Sequence, residues 1–299
     1  MIFLAAAIWG LTCISAFPAE EVGSAGLTLK VSAARPKQGQ IVVVALRSSA
    51  PLSSAVLSDG TRLVAMEADA SGRTFRALLG IDFESAVGKR EIRVEALEAD
   101  GGVARAARTL DVRSGRFPTQ KLRVAPAYIE PPAEELERIA EEREKVKRVW
   151  DSAESERQFA RAFRLPVAAR ANASFGVRRV FNGQPRSSHD GVDLPGPEGE
   201  PVVAPAAAVV ALADELYFSG GTVILDHGSG LFTTYFHLSR IDVEAGEAVG
   251  PGQRIGSVGA TGRATGPHLH WGARLHRARV NPLDLLQLPE WPAIAAAGR

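Results

Sequence analysis

The chain has 299 residues, of which 45% are hydrophobic and 23% charged, and its net charge is +1. That length suits two domains of ordinary size, with enough apolar side chains for a core in each. The near-neutral balance excludes a chain built as a whole to bind nucleic acid, and the apolar content excludes a disordered one.

Residues Met1 to Phe17 are apolar and uncharged, and the run breaks at Phe17-Pro18-Ala19-Glu20. A bilayer span needs roughly 20 such residues, so segment 1–19 is predicted to be a secretory signal peptide cleaved near Ala16, or a membrane anchor if it is not cleaved. Either reading sends the protein to the cell envelope, periplasmic or secreted. The only cysteine, Cys13, lies in this run. Cleavage leaves no thiol, so the mature chain must be held by its core and by metal.

Residues 25–115 read as short strands separated by turns. Leu27 to Val31 alternates apolar and polar, whereas Ile41 to Leu46 is a continuous apolar run, as for a strand covered on both faces. Asp59-Gly60 and Asp100-Gly101-Gly102 are hairpin signals. The spacing predicts an immunoglobulin-like β-sandwich that folds separately. It contains no histidine and no cysteine, so its expected role is spacing, docking or substrate positioning.

Pro131-Pro132 opens a different segment, 131–163, free of Gly and Pro after its start. Apolar residues at Leu136, Ile139, Val146, Val149, Trp150 and Ala153 recur at helical spacing. Glu141 and Lys145, like Glu144 and Arg148, stand four apart in the favourable order. A helical linker of about 45 Å is predicted. Its stripe must cover the sandwich, the following domain or an envelope protein partner, and a position beside an active-site groove would regulate access.

Residues 165–290 are Gly-rich and predicted to be an antiparallel β domain, with strands at Thr222 to Leu225 and Leu231 to His237 around the turn Asp226-His227-Gly228. The expected fold class is therefore mainly β. Lipoyl- or biotinyl-carrier folds are also small and hairpin-rich, but they need a lysine, and the chain has none after Lys147.

This last region carries the chemistry. His189 and Asp193 stand four apart, but Gly191 and Pro195-Gly196-Pro197 argue against a helix. A straight strand would separate them by about 13 Å, so the chain must bend, and Gly191 can supply the bend. In His268-Leu269-His270 the two imidazoles project from one strand face, with Leu269 and Trp271 toward the core. By the same alternation, Tyr235 and His237 are expected on one face and Phe236 on the other. His227 and His276 have an ordinary explanation as exposed residues, and Arg274, Arg277 and Arg279 as a solvated face.

With these motifs in view, the segment from about Ala171 to Leu286 resembles the lysostaphin/LytM-type peptidoglycan metalloendopeptidases. His-x-x-x-Asp at 189–193, Tyr-x-His-Leu-Ser at Tyr235 to Ser239 and Gly-Pro-His-Leu-His at Gly266 to His270 carry the likeness. The resemblance implies a partly open antiparallel sheet with a groove above it. It implies one zinc ion per chain on His189, Asp193 and His270, and His237 and His268 as catalytic histidines beside the metal. Tyr235 would be a further hydrogen-bond donor to the transition state. Two imidazoles and one carboxylate leave a zinc centre open to water.

The implied function is hydrolysis of peptide bonds in peptidoglycan stem peptides or crosslinks. With no wall-targeting domain after the catalytic one, direct D-alanyl–diaminopimelate crosslinks are favoured over pentaglycine bridges. The alternative is a catalytically silent envelope regulator that binds and activates a cell-wall amidase. All five polar positions being present favours the enzyme. A wall-binding module without catalysis would leave the histidines unexplained.

Overall fold

A computed structural model describes residues 26–123, 131–152, 155–169, 171–172, 174–185 and 188–291. The predicted signal segment with Cys13, and Ala153 of the predicted helix, lie outside these residues. The chain is mainly β.

The front of the chain is built from β1 (Leu27–Val31), β2 (Ile41–Ser48), β3 (Leu52–Ser58), β4 (Leu63–Ala65), β5 (Glu67–Ala68), β6 (Thr74–Gly80), β7 (Gly88–Glu98) and β8 (Val103–Val112). They make two four-stranded sheets, ordered β1-β2-β6-β5 and β4-β3-β7-β8. Leu29, Val44, Phe75, Leu57, Ile92 and Leu110 join both sheets in one apolar core. The continuous apolar run of β2 has a physical reason. Val42, Val44 and Leu46 enter that core, whereas Ile41 and Val43 point the other way into the core of the C-terminal half.

The rest comprises β9 (Thr119–Leu122), α1 (Leu136–Trp150), β10 (Arg178–Phe181), β11 (Gln184–Pro185), β12 (Gly191–Pro195), β13 (Pro201–Val203), β14 (Ala208–Leu216), β15 (Gly220–Asp226), β16 (Leu231–Leu238), β17 (Arg240–Ile241), β18 (Ala248–Val249), β19 (Arg254–Ser257), β20 (His268–Leu275) and β21 (Ala278–Val280). Seven strands form the main sheet, in order β12-β20-β16-β15-β14-β18 with β21 on β20. One face carries Tyr235, Trp271, Leu269, Val223 and Leu225 into the core. The opposite face carries Asp193, His270 and Phe236 in one row, paired across β12, β20 and β16. Further along that same face, Ile224 pairs with Leu212.

The helix packs on this second face. Val146, Val149 and Trp150 cover Leu212, Leu216, Ile224 and Phe232. Lys145 bonds Asp214 at 2.6 Å across the join, and Glu142 accepts from the backbone N–H of Tyr217 at 2.8 Å. The helix is 15 residues long, about 23 Å, half the predicted length, and Leu136 of the stripe remains exposed. It stops at Trp150 because the local polar groups turn back on the backbone, with Ser152 Oγ donating to Val149 O at 2.8 Å. Residues 155–163 carry no regular secondary structure and dock on the C-terminal half. Gln158 N–H donates to His227 O, and Phe163 N–H to Leu285 O, and both phenylalanines, Phe159 and Phe163, are buried.

Front and C-terminal halves share a core rather than merely touching. Phe83, Phe117 and Phe175 pack edge-to-face with centroids 5.6–6.0 Å apart. A Cβ on Gly80 would lie 3.0 Å from Ala278 Cβ and 3.2 Å from Leu275 O, so the two halves approach at backbone distance. Arg279 clamps the join. It donates Nε and Nη2 to the two oxygens of Asp82, each at 3.0 Å, and Nη2 also to Glu84 at 2.7 Å, with its guanidinium 4.3 Å from the Phe83 ring centroid. Burial pushes the Asp82 carboxyl up, but the Arg279 and Glu84 hydrogen bonds outweigh it and hold the pKa below the usual value.

Of the expected solvated arginine face only Arg277 is exposed, whereas Arg274 and Arg279 are partly buried. Arg277 pairs with Asp151 at 2.6 Å, and Arg274 is packed under Trp150. His227 is also not exposed but fully buried. Its Nδ1–H donates to Ala207 O at 2.9 Å and its Nε2 contacts Thr233 Oγ1 at 2.7 Å, and burial holds its pKa down to about 4. Among the described residues no helix is long and apolar enough to cross a membrane.

Replacing Arg279 with Gln removes a charged fork and leaves Asp82 half-buried. The variant should lose on the order of 1–3 kcal/mol of stability in urea unfolding. A loss under about 0.5 kcal/mol would mean that apolar contacts alone hold the halves together.

Candidate functional site

The row Asp193–His270–Phe236 is set by strand register. His189 lies one turn before β12, held by its own backbone. Its N–H donates to Val177 O at 2.9 Å, and its C=O accepts from Gly176 N–H at 2.7 Å. His189 Nε2 thereby comes to 3.0 Å from Asp193 Oδ1 and 2.9 Å from His270 Nδ1, and His270 Nδ1 to 3.4 Å from Asp193 Oδ1. Donors on a tetrahedral ion with bonds of 2.0–2.1 Å stand about 3.3 Å apart. The triangle therefore fits one small divalent cation.

The tautomers agree. His189 Nδ1 faces the carbonyl of Ser174 at 2.9 Å, so it carries the proton and Nε2 presents its lone pair. Burial pushes the Asp193 carboxyl up, but the adjoining His189 and His270 imidazoles overcome it, and Asp193 is held ionised well below the usual range. Burial lowers the His270 pKa, which keeps the imidazole neutral.

Gly191 is needed for a reason other than the predicted bend. Its φ is not among the positive ones. A Cβ there would lie 2.5 Å from Trp271 O and 2.6 Å from His270 Nε2, so the absent side chain makes room for the histidine beside it.

The two remaining histidines flank the triangle. His268 donates Nδ1–H to Gly266 O at 2.8 Å, and its Nε2 lies 3.7 Å from Asp193 Oδ1. His237 donates Nδ1–H to Thr261 O at 2.9 Å, and its ring is 4.9 Å from that of His268. Burial, partly offset by the Thr261 carbonyl, lowers the His237 pKa to about 4. Each therefore keeps an unprotonated Nε2 when neutral.

The alternation expected for Tyr235-Phe236-His237 is corrected. His237 has φ +66°, and the β15–β16 pairing shifts register here. That break turns His237 to the groove, beside Phe236, whose ring stacks on His270 at 5.0 Å and 3°. Tyr235 points into the core, fully buried, with its hydroxyl 2.8 Å from Thr233 Oγ1. Burial pushes its pKa well above the usual phenol range. It cannot reach a substrate in the groove, so the expected stabilising role for Tyr235 is withdrawn.

The groove occupies about 770 Å³ and is lined by the four histidines, Asp190, Asp193 and Phe236, with Arg179, Arg263 and Phe218 on its rims. The rim residues were missed in the sequence because they come from β10 and from two loops, and no local pattern joins them.

Residues 187–282 match the model of peptidase family M23. The chain is 39% identical to the peptidoglycan DD-endopeptidase ShyA of Vibrio cholerae over 127 residues, 41% of this chain and 30% of that protein. It is 38% identical to the DD-carboxypeptidase/endopeptidase Mpg of Neisseria meningitidis over 125 residues, 42% of this chain and 29% of that one. The matched stretch thus spans about a third of the length of these curated relatives. A solved Pseudomonas aeruginosa structure assigned to peptidase M23 superposes with a TM-score of 0.65 at 29% identity, covering 84% of this chain and 95% of the other.

One divalent metal ion per chain is expected, and His270→Ala should bring the content measured by elemental analysis close to zero. Full occupancy in that variant would remove His270 from the ligand set. Residues 187–282, about a third of the chain, thus resemble the catalytic domain of peptidase family M23.

Proposed function

We propose that this protein is a zinc-dependent endopeptidase of the cell envelope that hydrolyses peptidoglycan crosslinks, with D-alanyl–diaminopimelate bonds as the substrate class. The observation that carries the reading is the His189–Asp193–His270 triangle, with His237 and His268 beside it on one open groove. The DD-endopeptidase names of the M23 relatives support the choice of bond.

Two imidazoles and a carboxylate are the donor set of catalytic zinc, which supplies Lewis acidity toward water and a carbonyl. The residues of the chain do the rest. The groove takes an extended peptide across the open sheet face. His237 and His268 have their Nδ1 protons anchored on backbone carbonyls, so each presents the lone pair of Nε2. One accepts the proton of the attacking water as the C–O bond forms. A protonated imidazole then returns a proton to the amine nitrogen as the C–N bond breaks. Phe236, stacked on His270, screens one side of the site from solvent.

The purified, zinc-loaded protein should convert crosslinked muropeptide dimers to monomers by mass spectrometry, lose activity on chelation and regain it with zinc. His237→Ala should keep the metal while kcat falls on the order of 10²-fold or more. Loss of zinc in that variant would make His237 a ligand. A metal-loaded wild type that cuts neither direct crosslinks nor pentaglycine bridges would defeat the endopeptidase reading.

A further inference from the structure

His270 Nε2 is buried and has no hydrogen-bond partner among the described residues. It is the ring atom opposite the one that completes the metal triangle, so when Nδ1 binds a cation the proton must sit on Nε2. A buried N–H without an acceptor is costly, and metal-bound histidines are ordinarily held by an acceptor on their second nitrogen. The carboxylate found in that direction is that of Asp190, with Oδ1 3.6 Å from Nε2. Small rotation of the Asp190 side chain closes this gap to a hydrogen bond. The flanking positions on both neighbouring sides are glycines. A Cβ at Gly191 would lie 2.6 Å from Nε2 and one at Gly272 3.7 Å from it, so neither position puts a side chain between the imidazole and Asp190.

Asp190 is itself fixed from behind. Its Oδ2 lies 3.5 Å from Arg274 Nη2. Arg274 stands on the same sheet face two residues beyond Gly272, with its guanidinium 4.8 Å from the Trp150 ring centroid. Trp150, the last residue of α1, packs edge-on against Phe232 at 5.5 Å. A continuous set of contacts therefore runs from the helix end through Arg274 and Asp190 to the back of a metal ligand.

We propose that Asp190 is a positioning residue for His270, accepting its Nε2 proton and so raising the metal affinity of Nδ1, and that Trp150 and Arg274 hold Asp190 in place. This rests on the metal reading of the triangle. Asp190 is not a further ligand, because it faces the ring nitrogen turned away from the triangle. The helix that covers the sheet beside the groove thus contributes to the metal site without touching it.

The test is the zinc dissociation constant of the full chain, measured by competition with a chromophoric chelator. Asp190→Ala should bind zinc on the order of 10- to 100-fold more weakly, with the thermal stability of the metal-free protein little changed. Asp190→Glu, which keeps the carboxylate, should recover part of the affinity. Arg274→Gln should weaken binding in the same direction by less. If wild type and Asp190→Ala bind zinc within twofold of each other, the proposal is overturned while the metal site stands. An equal affinity loss in Asp190→Ala and Asp190→Glu, matched by a fall in metal-free stability, would show a merely structural role and also overturn it. A wild type that binds no zinc would overturn the metal reading itself.

Discussion

Pairing between β12, β20 and β16 is the constraint on which the site depends. Backbone hydrogen bonds fix Asp193 opposite His270 and His270 opposite Phe236. Directly opposed residues in an antiparallel pair have their Cβ atoms about 4.5–5.5 Å apart. A candidate pair of metal ligands is thus supplied by register alone, with no loop ordering required for it. A slip by one residue would turn Asp193 or His270 into the core and put Leu194 or Leu269 in the groove. The buried face, with Tyr235, Trp271 and Leu269 fully enclosed, makes that slip expensive.

What the register cannot supply is added by local departures from regular structure. His189 lies just outside the strand, where its backbone bonds to Val177 and Gly176 swing the ring back over Asp193. His237 takes a left-handed backbone conformation, uncommon for a residue with a side chain, and thereby joins the groove face next to Phe236. The rest of the chain braces this frame. The segment 155–163 inserts Phe159 and Phe163 beneath the sheet, and the front sheets add Ile41, Val43 and Phe83 to the same core. The front half therefore contributes packing to the unit that holds the histidines.

Much of the site was legible from the sequence because it uses strand periodicity. His268-Leu269-His270 follows the two-residue repeat without exception, and Leu269 and Trp271 face the core as that repeat requires. The apolar run in β2 also indicated cover on both faces. The same rule misplaced Tyr235, since one positive φ at His237 reverses the sense of the alternation and nothing in Tyr-Phe-His signals it. The sequence overextends the helix because 133–163 lacks Gly and Pro, while its end is set by tertiary demand for Phe159 and Phe163 and by Ser152. His227, Arg274 and Arg279 read as solvated in the sequence because their partners, Ala207, Asp190 and Asp82, are distant along the chain.

The central claim is that three atoms, His189 Nε2, Asp193 Oδ1 and His270 Nδ1, converge on one zinc ion. Anomalous diffraction above and below the zinc edge, on crystals of the full chain grown with zinc, tests it most directly. The account predicts one strong peak per chain at about 2.0–2.2 Å from all three atoms. His270 should bind through Nδ1, with Nε2 turned to Asp190. A peak bonded to His237 or His268 in place of His270, or a His270 ring bound through Nε2, would contradict it.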